Sequence, residues 1–123
     1  MPERAKQVGK LSQRVIELLG LTLSEGRSIL LGESNIAHMV SSHPEDYALY
    51  GEYIPLILSM PDYVALNTKD ESIEYVKEVQ MDDVYVKVAV RVSARGQLFA
   101  RSVYRLNTNR AKNFIEKGTL KKY

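Results

Sequence analysis

Valine recurs at every second position in Val84, Val86, Val88, Val90 and Val92, and this alternation constrains the fold more than any other feature of the chain. Successive side chains of a strand point to opposite faces, and β-branched residues suit a pleated surface packed on a core. The valines are therefore expected to face inward, leaving Lys87, Ala89, Arg91 and Ser93 on the other face. Ala94, Arg95, Gly96 and Gln97 form a turn, and the run 98–106 is the returning strand of a hairpin. With Arg95 and Gly96 as the central turn residues, Lys87 lies opposite Tyr104, Ala89 opposite Ser102 and Arg91 opposite Ala100. A three-residue loop would slip the register by one, move Ser102 and Tyr104 off this face and leave Arg101 and Arg105 on it. The first register is the expected one.

The preceding residues supply the rest of the pattern. Val15, Ile16, Leu18 and Leu19 form a short amphipathic helix after Ser12, a good N-cap, and Gly20 can end it. Ser28, Ile29, Leu30 and Leu31 read as a short strand, and Ser34 or Asn35 can cap a helix that runs to about Ser42. Pro44 suits the first turn of a new helix, which Pro55 kinks or divides. From Pro61 the period changes, and 63–66, 73–79, 84–93 and 98–106 read as strands of an antiparallel meander. Asn107 caps a last helix that ends at Gly118. The expectation is an α+β fold in which residues 1–123 form a single domain.

Composition narrows the function classes. Zero cysteines remove disulfides, thiolate nucleophiles and the common structural zinc sites. No apolar run approaches the roughly 20 residues needed to cross a bilayer, and the start of the chain lacks a secretory apolar segment, so a cytoplasmic place of work is expected. The net charge of +2 conceals a division: residues 1–85 carry 7 Lys/Arg and 14 Asp/Glu, whereas residues 86–123 carry 10 Lys/Arg and one acid. A half of net charge +9 fits an anionic partner, although a two-signed fold that neutralises itself gives the same pattern.

His38 and His43 are the only histidines. Histidine is the side chain best suited to exchange protons near neutral pH. His43 precedes Pro44, which disfavours helical backbone, so the two imidazoles need not share a helical face. Five residues apart, they would lie about 140° apart around a continuous helix, and no third ligand has a zinc spacing, so neither metal nor cofactor is expected. No phosphate-binding glycine loop or Gly-x-Ser-x-Gly elbow occurs. Metal-free RNA cleavage, the activity that this chain's family resemblance implies, needs a base near the 2′-hydroxyl, an acid near the 5′ leaving oxygen and cations around the phosphorus. His38 and His43 are the acid and base candidates in unassigned order, and Lys87 and Arg91 would stabilise the phosphoryl charge. Ser102 would bond phosphate or orient a histidine, Tyr104 would stack on a base or donate its phenol, and Glu74 is a reserve base.

Several segments carry a resemblance to a known family: Val8 to Leu11, Ile36-Ala37-His38, His43-Pro44, Pro61-Asp62-Tyr63, the stretch from Ser72 to Lys77, the strand Val88 to Val92, Ser102 with Tyr104, and Lys117-Gly118. In this order and spacing the chain resembles the phage-associated nuclease domains of the barnase, EndoU, colicin and RelE-like superfamily. The resemblance implies N-terminal helices packed on a four-stranded antiparallel sheet with a C-terminal helix. It also implies a metal-independent, toxin-type endoribonuclease with RNA, for instance tRNA, as substrate. Arg101, Arg105 and Lys77 are the RNA-binding candidates beside the six catalytic ones. Such a domain implies an immunity or antitoxin protein, or fusion to a phage or toxin delivery module. The competing expectation is a non-catalytic RNA- or protein-binding module, or a phage structural domain, on the same scaffold.

Overall fold

The computed structural model describes residues 4–123, with the valine hairpin at its centre. Strand β5 (Val84–Val92) presents Val86, Val88 and Val90 to the core at 0% exposure. Val84 is only partly buried and Val92 is exposed, because they sit at the ends of the strand. Strand β5 runs antiparallel to β4 (Ile73–Val79) and to β6 (Leu98–Leu106), and β4 runs antiparallel to β3 (Tyr63–Leu66).

This meander is the middle of a larger sheet, which corrects the four-stranded antiparallel expectation. Seven strands form one mixed sheet in the order β1-β2-β6-β5-β4-β3-β7. Strand β2 (Ser28–Gly32) joins β6 in parallel through Ile29–Leu98 and Leu30–Phe99, and β1 (Ala5–Lys10) pairs antiparallel with β2. At the other edge β7 (Lys121–Lys122) pairs with β3. Neither edge strand has an apolar face: Val8 is the one buried residue of β1, and β7 consists of two exposed lysines. Charged, short strands are typical of sheet edges, where extra hydrophobic surface would invite unwanted pairing.

The hairpin itself differs from the expected register near its turn. The Ser93 N–H donates to the Gln97 carbonyl at 2.7 Å, which makes Ala94, Arg95 and Gly96 a three-residue loop, with Gly96 at φ +83. Arg91 therefore lies opposite Phe99 rather than Ala100. Farther along, Val90 faces Ala100 while Ala89 faces Ser102, so Arg101 is an extra, unpaired residue in β6. This bulge returns the register, and Lys87–Tyr104 and Ala89–Ser102 pair as expected.

Helices divide unequally between the two sheet faces. Helix α1 (Gln13–Leu19) starts where the Ser12 hydroxyl accepts from the Val15 N–H and stops at Gly20, φ +63. Next come α2 (Glu33–Ser42), α3 (Pro44–Tyr50), a 3-10 turn (Gly51–Tyr53) and α4 (Ile54–Ser59). The division falls at the turn, with Pro55 inside the first turn of α4. These helices bury Val15, Met39, Tyr50, Ile54 and Ile57 against the inner face of the sheet. Helix α5 (Thr108–Glu116), capped by the Asn107 side chain, lies on the other face with Ala111 against Ala65, Val76, Tyr85 and Leu120. Beyond this small second core the outer face of β4, β5 and β6 stays open.

Candidate functional site

The open face is built by the alternation of β5 and by the bulge in β6. Strand β2 leaves β6 after Phe99, and α2, which follows it directly, packs against β6. Met39 turns into the core at 0% exposure, and the neighbouring His38 is left exposed. His38 lines a cavity of about 170 Å³ with Asp70, Ser72, Arg91, Arg101 and Ser102. A second cavity of about 340 Å³ shares His38, Arg91 and Arg101 and reaches Ser34, Asn35 and Phe99. The bulge is what lets both Arg101 and Ser102 reach this region from consecutive positions of one strand.

His43 enters from the junction of two helices. Pro44 excludes helical backbone before it, and His43 adopts φ −141, ψ 64 between α2 and α3. Its ring stacks on Tyr104, with centroids 4.8 Å apart and planes 20° from parallel. The Lys87 amine lies 4.8 Å from the centroid of the same Tyr104 ring and donates to Glu74 Oε2 at 2.9 Å. Asn67 donates to that carboxylate oxygen at 3.5 Å. Burial alone would lower the Lys87 pKa, but hydrogen bonds with Tyr104 and Glu74 and the Glu74 charge outweigh it and hold the amine above its usual value. Lys87 is thus a fixed cation at neutral pH.

The six catalytic candidates therefore lie on one surface: His38, Arg91 and Ser102 around one cavity, and His43, Tyr104 and Lys87 in contact beside it. The three RNA-binding candidates separate. Arg101 is exposed and lines both cavities around His38. Arg105 pairs across from Val86, and its guanidinium is held by Asp46 at 2.5 Å and Glu45 at 3.5 Å. Lys77 also aligns with Val86, on the helical side of the sheet, where its amine donates to the Met60 carbonyl at 2.8 Å. Among the described residues no group of three or more His, Asp or Glu side chains could hold a metal ion.

Sequence reasoning passed over two carboxylates. Asp46 Oδ2 lies 3.9 Å from His43 Nδ1 while its other oxygen receives Arg105, so one carboxylate spans the histidine and the arginine. Asp70 accepts from the Ser72 hydroxyl at 2.7 Å and from its N–H at 3.0 Å. These bonds, the hydroxyl first, hold the Asp70 pKa below the usual carboxylate value. The i,i+3 spacing of His43 and Asp46 was the available signal for the first contact.

A surface with two imidazoles, fixed cations and a bulged strand is suited to an anionic, proton-transferring reaction, and comparison with known families bears on which one. The family model described as phage-Barnase-EndoU-ColicinE5/D-RelE like nuclease3 matches residues 6–113. The chain belongs to this nuclease family. The matched span of this nuclease-family domain includes every residue of the open face named above and ends inside α5. No curated protein and no solved structure matches the chain. Among the described residues, no helix of the nuclease-family domain is long and apolar enough to cross a membrane.

Proposed function

We propose that this nuclease-family domain is a toxin-type endoribonuclease that cleaves RNA without a metal ion, through attack of a ribose 2′-hydroxyl on the adjacent phosphodiester. The observation that supports this reading best is the placement of His38 and His43 beside one row of cations, Lys87 and Arg91. His38 stands with Arg91 at one end of this row, and His43, stacked on Tyr104, stands with Lys87 at the other.

In the proposed reaction one histidine takes the 2′-hydroxyl proton as the 2′ oxygen bonds to phosphorus. The bond from phosphorus to the 5′ oxygen breaks, and the second histidine gives that oxygen a proton. The products are a 2′,3′-cyclic phosphate and a free 5′-hydroxyl. Arg91 offers two parallel donors to the nonbridging oxygens and Lys87 a point charge, both where negative charge grows. Ser102 bonds the phosphate, and Tyr104 holds the His43 ring by stacking. Glu74 serves to keep Lys87 charged and in place, and Asp46 restrains His43. Arg101 steers the strand toward the cavities.

The proposed substrate is single-stranded or looped RNA in the cytoplasm, with tRNA the first to test. An enzyme of this kind would harm the cell that makes it, so a neutralising immunity protein or attachment to a delivery module belongs to the same proposal. Purified wild type, His43→Ala and Arg91→Ala are incubated with tRNA in EDTA. Cleavage by wild type alone, with the loss of about 10²–10⁴-fold typical of a missing general acid or base in His43→Ala, supports the reading. Equal inertness of all three with retained RNA binding overturns it in favour of a binding module.

A further inference from the structure

Between α5 and the sheet lies a cavity of about 600 Å³ whose α5 side the chemistry above does not use. Its walls include the apolar side chains of Leu66, Leu106 and Phe114, with the Asn67 amide at one side. Arg110 places its guanidinium 5.8 Å from the Phe114 centroid, a flat cation backed by an aromatic ring. Lys87 and Tyr104 form the wall shared with the open face, so the cavity is continuous with the row of cations. Phe114 lies one residue beyond the span 6–113 that the family model matches.

We infer that this cavity is a nucleobase subsite, which receives the base of a nucleotide whose phosphate rests on Lys87. The chemistry of the walls selects such a ligand. A base has apolar faces that fit against Leu66, Leu106 and Phe114, polar edges that an amide can read, and a plane on which an arginine stacks. Its attached phosphate is the anion that the fixed charge of Lys87 attracts. The volume is within the range of small-ligand pockets and exceeds the needs of a single phosphate. Lys87 and Glu74 are paired at 2.9 Å, so the phosphate shares the three-donor Lys87 amine with that carboxylate. This inference rests on the ribonuclease reading only for the phosphate position beside it.

The test titrates the full chain with inorganic phosphate and with the four nucleoside 3′-monophosphates, followed by amide and side-chain NMR. The expected result is at least about tenfold tighter binding of one or more nucleotides than of phosphate, with shifts centred on Leu66, Leu106, Arg110 and Phe114. Arg110→Lys keeps the charge and removes the flat guanidinium, and Phe114→Ala removes the ring. Each is expected to lose most of the nucleotide advantage, consistent with about fivefold or more for one stacking contact, and to leave phosphate binding unchanged. Should Phe114→Ala fail to fold, the Arg110→Lys arm decides. Nucleotides that bind no tighter than phosphate, unchanged affinity in Arg110→Lys, or base-dependent shifts around His38 and Phe99 instead would overturn the inference. Failure of the ribonuclease reading shows elsewhere, as intact tRNA in the cleavage assay, whichever way the base titration falls.

Discussion

His43 lies flat on Tyr104, with ring centroids 4.8 Å apart, and the Lys87 amine approaches the same ring at 4.8 Å from its centroid. One phenol ring thus fixes both an imidazole and a cation. Tyr104→Phe keeps the ring and is expected to retain cleavage to within about tenfold. Tyr104→Ala frees both partners and is expected to cost up to about 10²-fold, the scale of a misplaced catalytic group. Steady-state cleavage of a short RNA by the two variants separates positioning by the ring from chemistry by the hydroxyl.

Arg101 and Arg105 make opposite predictions although each was expected to bind RNA. Arg101 is exposed, whereas Arg105 is engaged by Asp46 and Glu45. Arg101→Ala should reduce the slope of log affinity against log salt by about 0.7 for single-stranded RNA, the value of one lost phosphate contact. Arg105→Ala should leave that slope in place and destabilise the fold by no more than about 1 kcal/mol, since the pair is partly solvated. Filter binding at several salt concentrations and urea unfolding check the two halves.

Asp46 is the carboxylate between Arg105 and His43. Asp46→Asn preserves its volume and removes its charge. The variant should lose kcat, up to about 10²-fold, with KM nearly unchanged, because a histidine out of place impairs reaction more than binding. A rise in KM at constant kcat would instead make Asp46 part of RNA binding.

The sequence was most informative where a local pattern decides the structure. The alternation of valines, the cap at Ser12, the stop at Gly20 and the break before Pro44 each act within a few residues, and each is present in the fold. The pairing of Lys87 with Tyr104 also followed from alternation, although a loop one residue longer and a bulge at Arg101 cancel to produce it. A single extra residue inside a strand leaves no mark in composition. Strand β1 buries only Val8, β7 is two lysines, and β2 finds its parallel partner far along the chain, so the sheet's full width was not legible. Among the site contacts, Asp46 with Arg105 spans 59 positions and depends on tertiary packing alone.

Tyr75 supplies a prediction independent of function. Its hydroxyl is buried with no hydrogen-bond partner among the described residues, and burial, followed by the nearby Tyr123, pushes its pKa well above the usual phenol value. Burial, then the bond to Asp82, raises Tyr50 as well. The fold favours the neutral phenols, so their contribution is complete below the ordinary phenol value of about 10 and is lost as pH rises through the raised values. Tyr75→Phe should stabilise the chain by up to about 1–3 kcal/mol, by removing an unsatisfied buried group, and should shift alkaline unfolding to higher pH. Urea unfolding at neutral and alkaline pH measures both effects.

The most direct test of 2′-hydroxyl attack between the two histidines uses a DNA oligonucleotide with one internal ribonucleotide, incubated with the protein in EDTA. The account predicts a single cut on the 3′ side of the ribose, a 2′,3′-cyclic phosphate end, no cut in the all-DNA oligonucleotide, and at least about 10²-fold slower cleavage by folded His38→Ala and by folded His43→Ala. Equal cleavage of the all-DNA strand, or wild-type rates in both histidine variants, would contradict it.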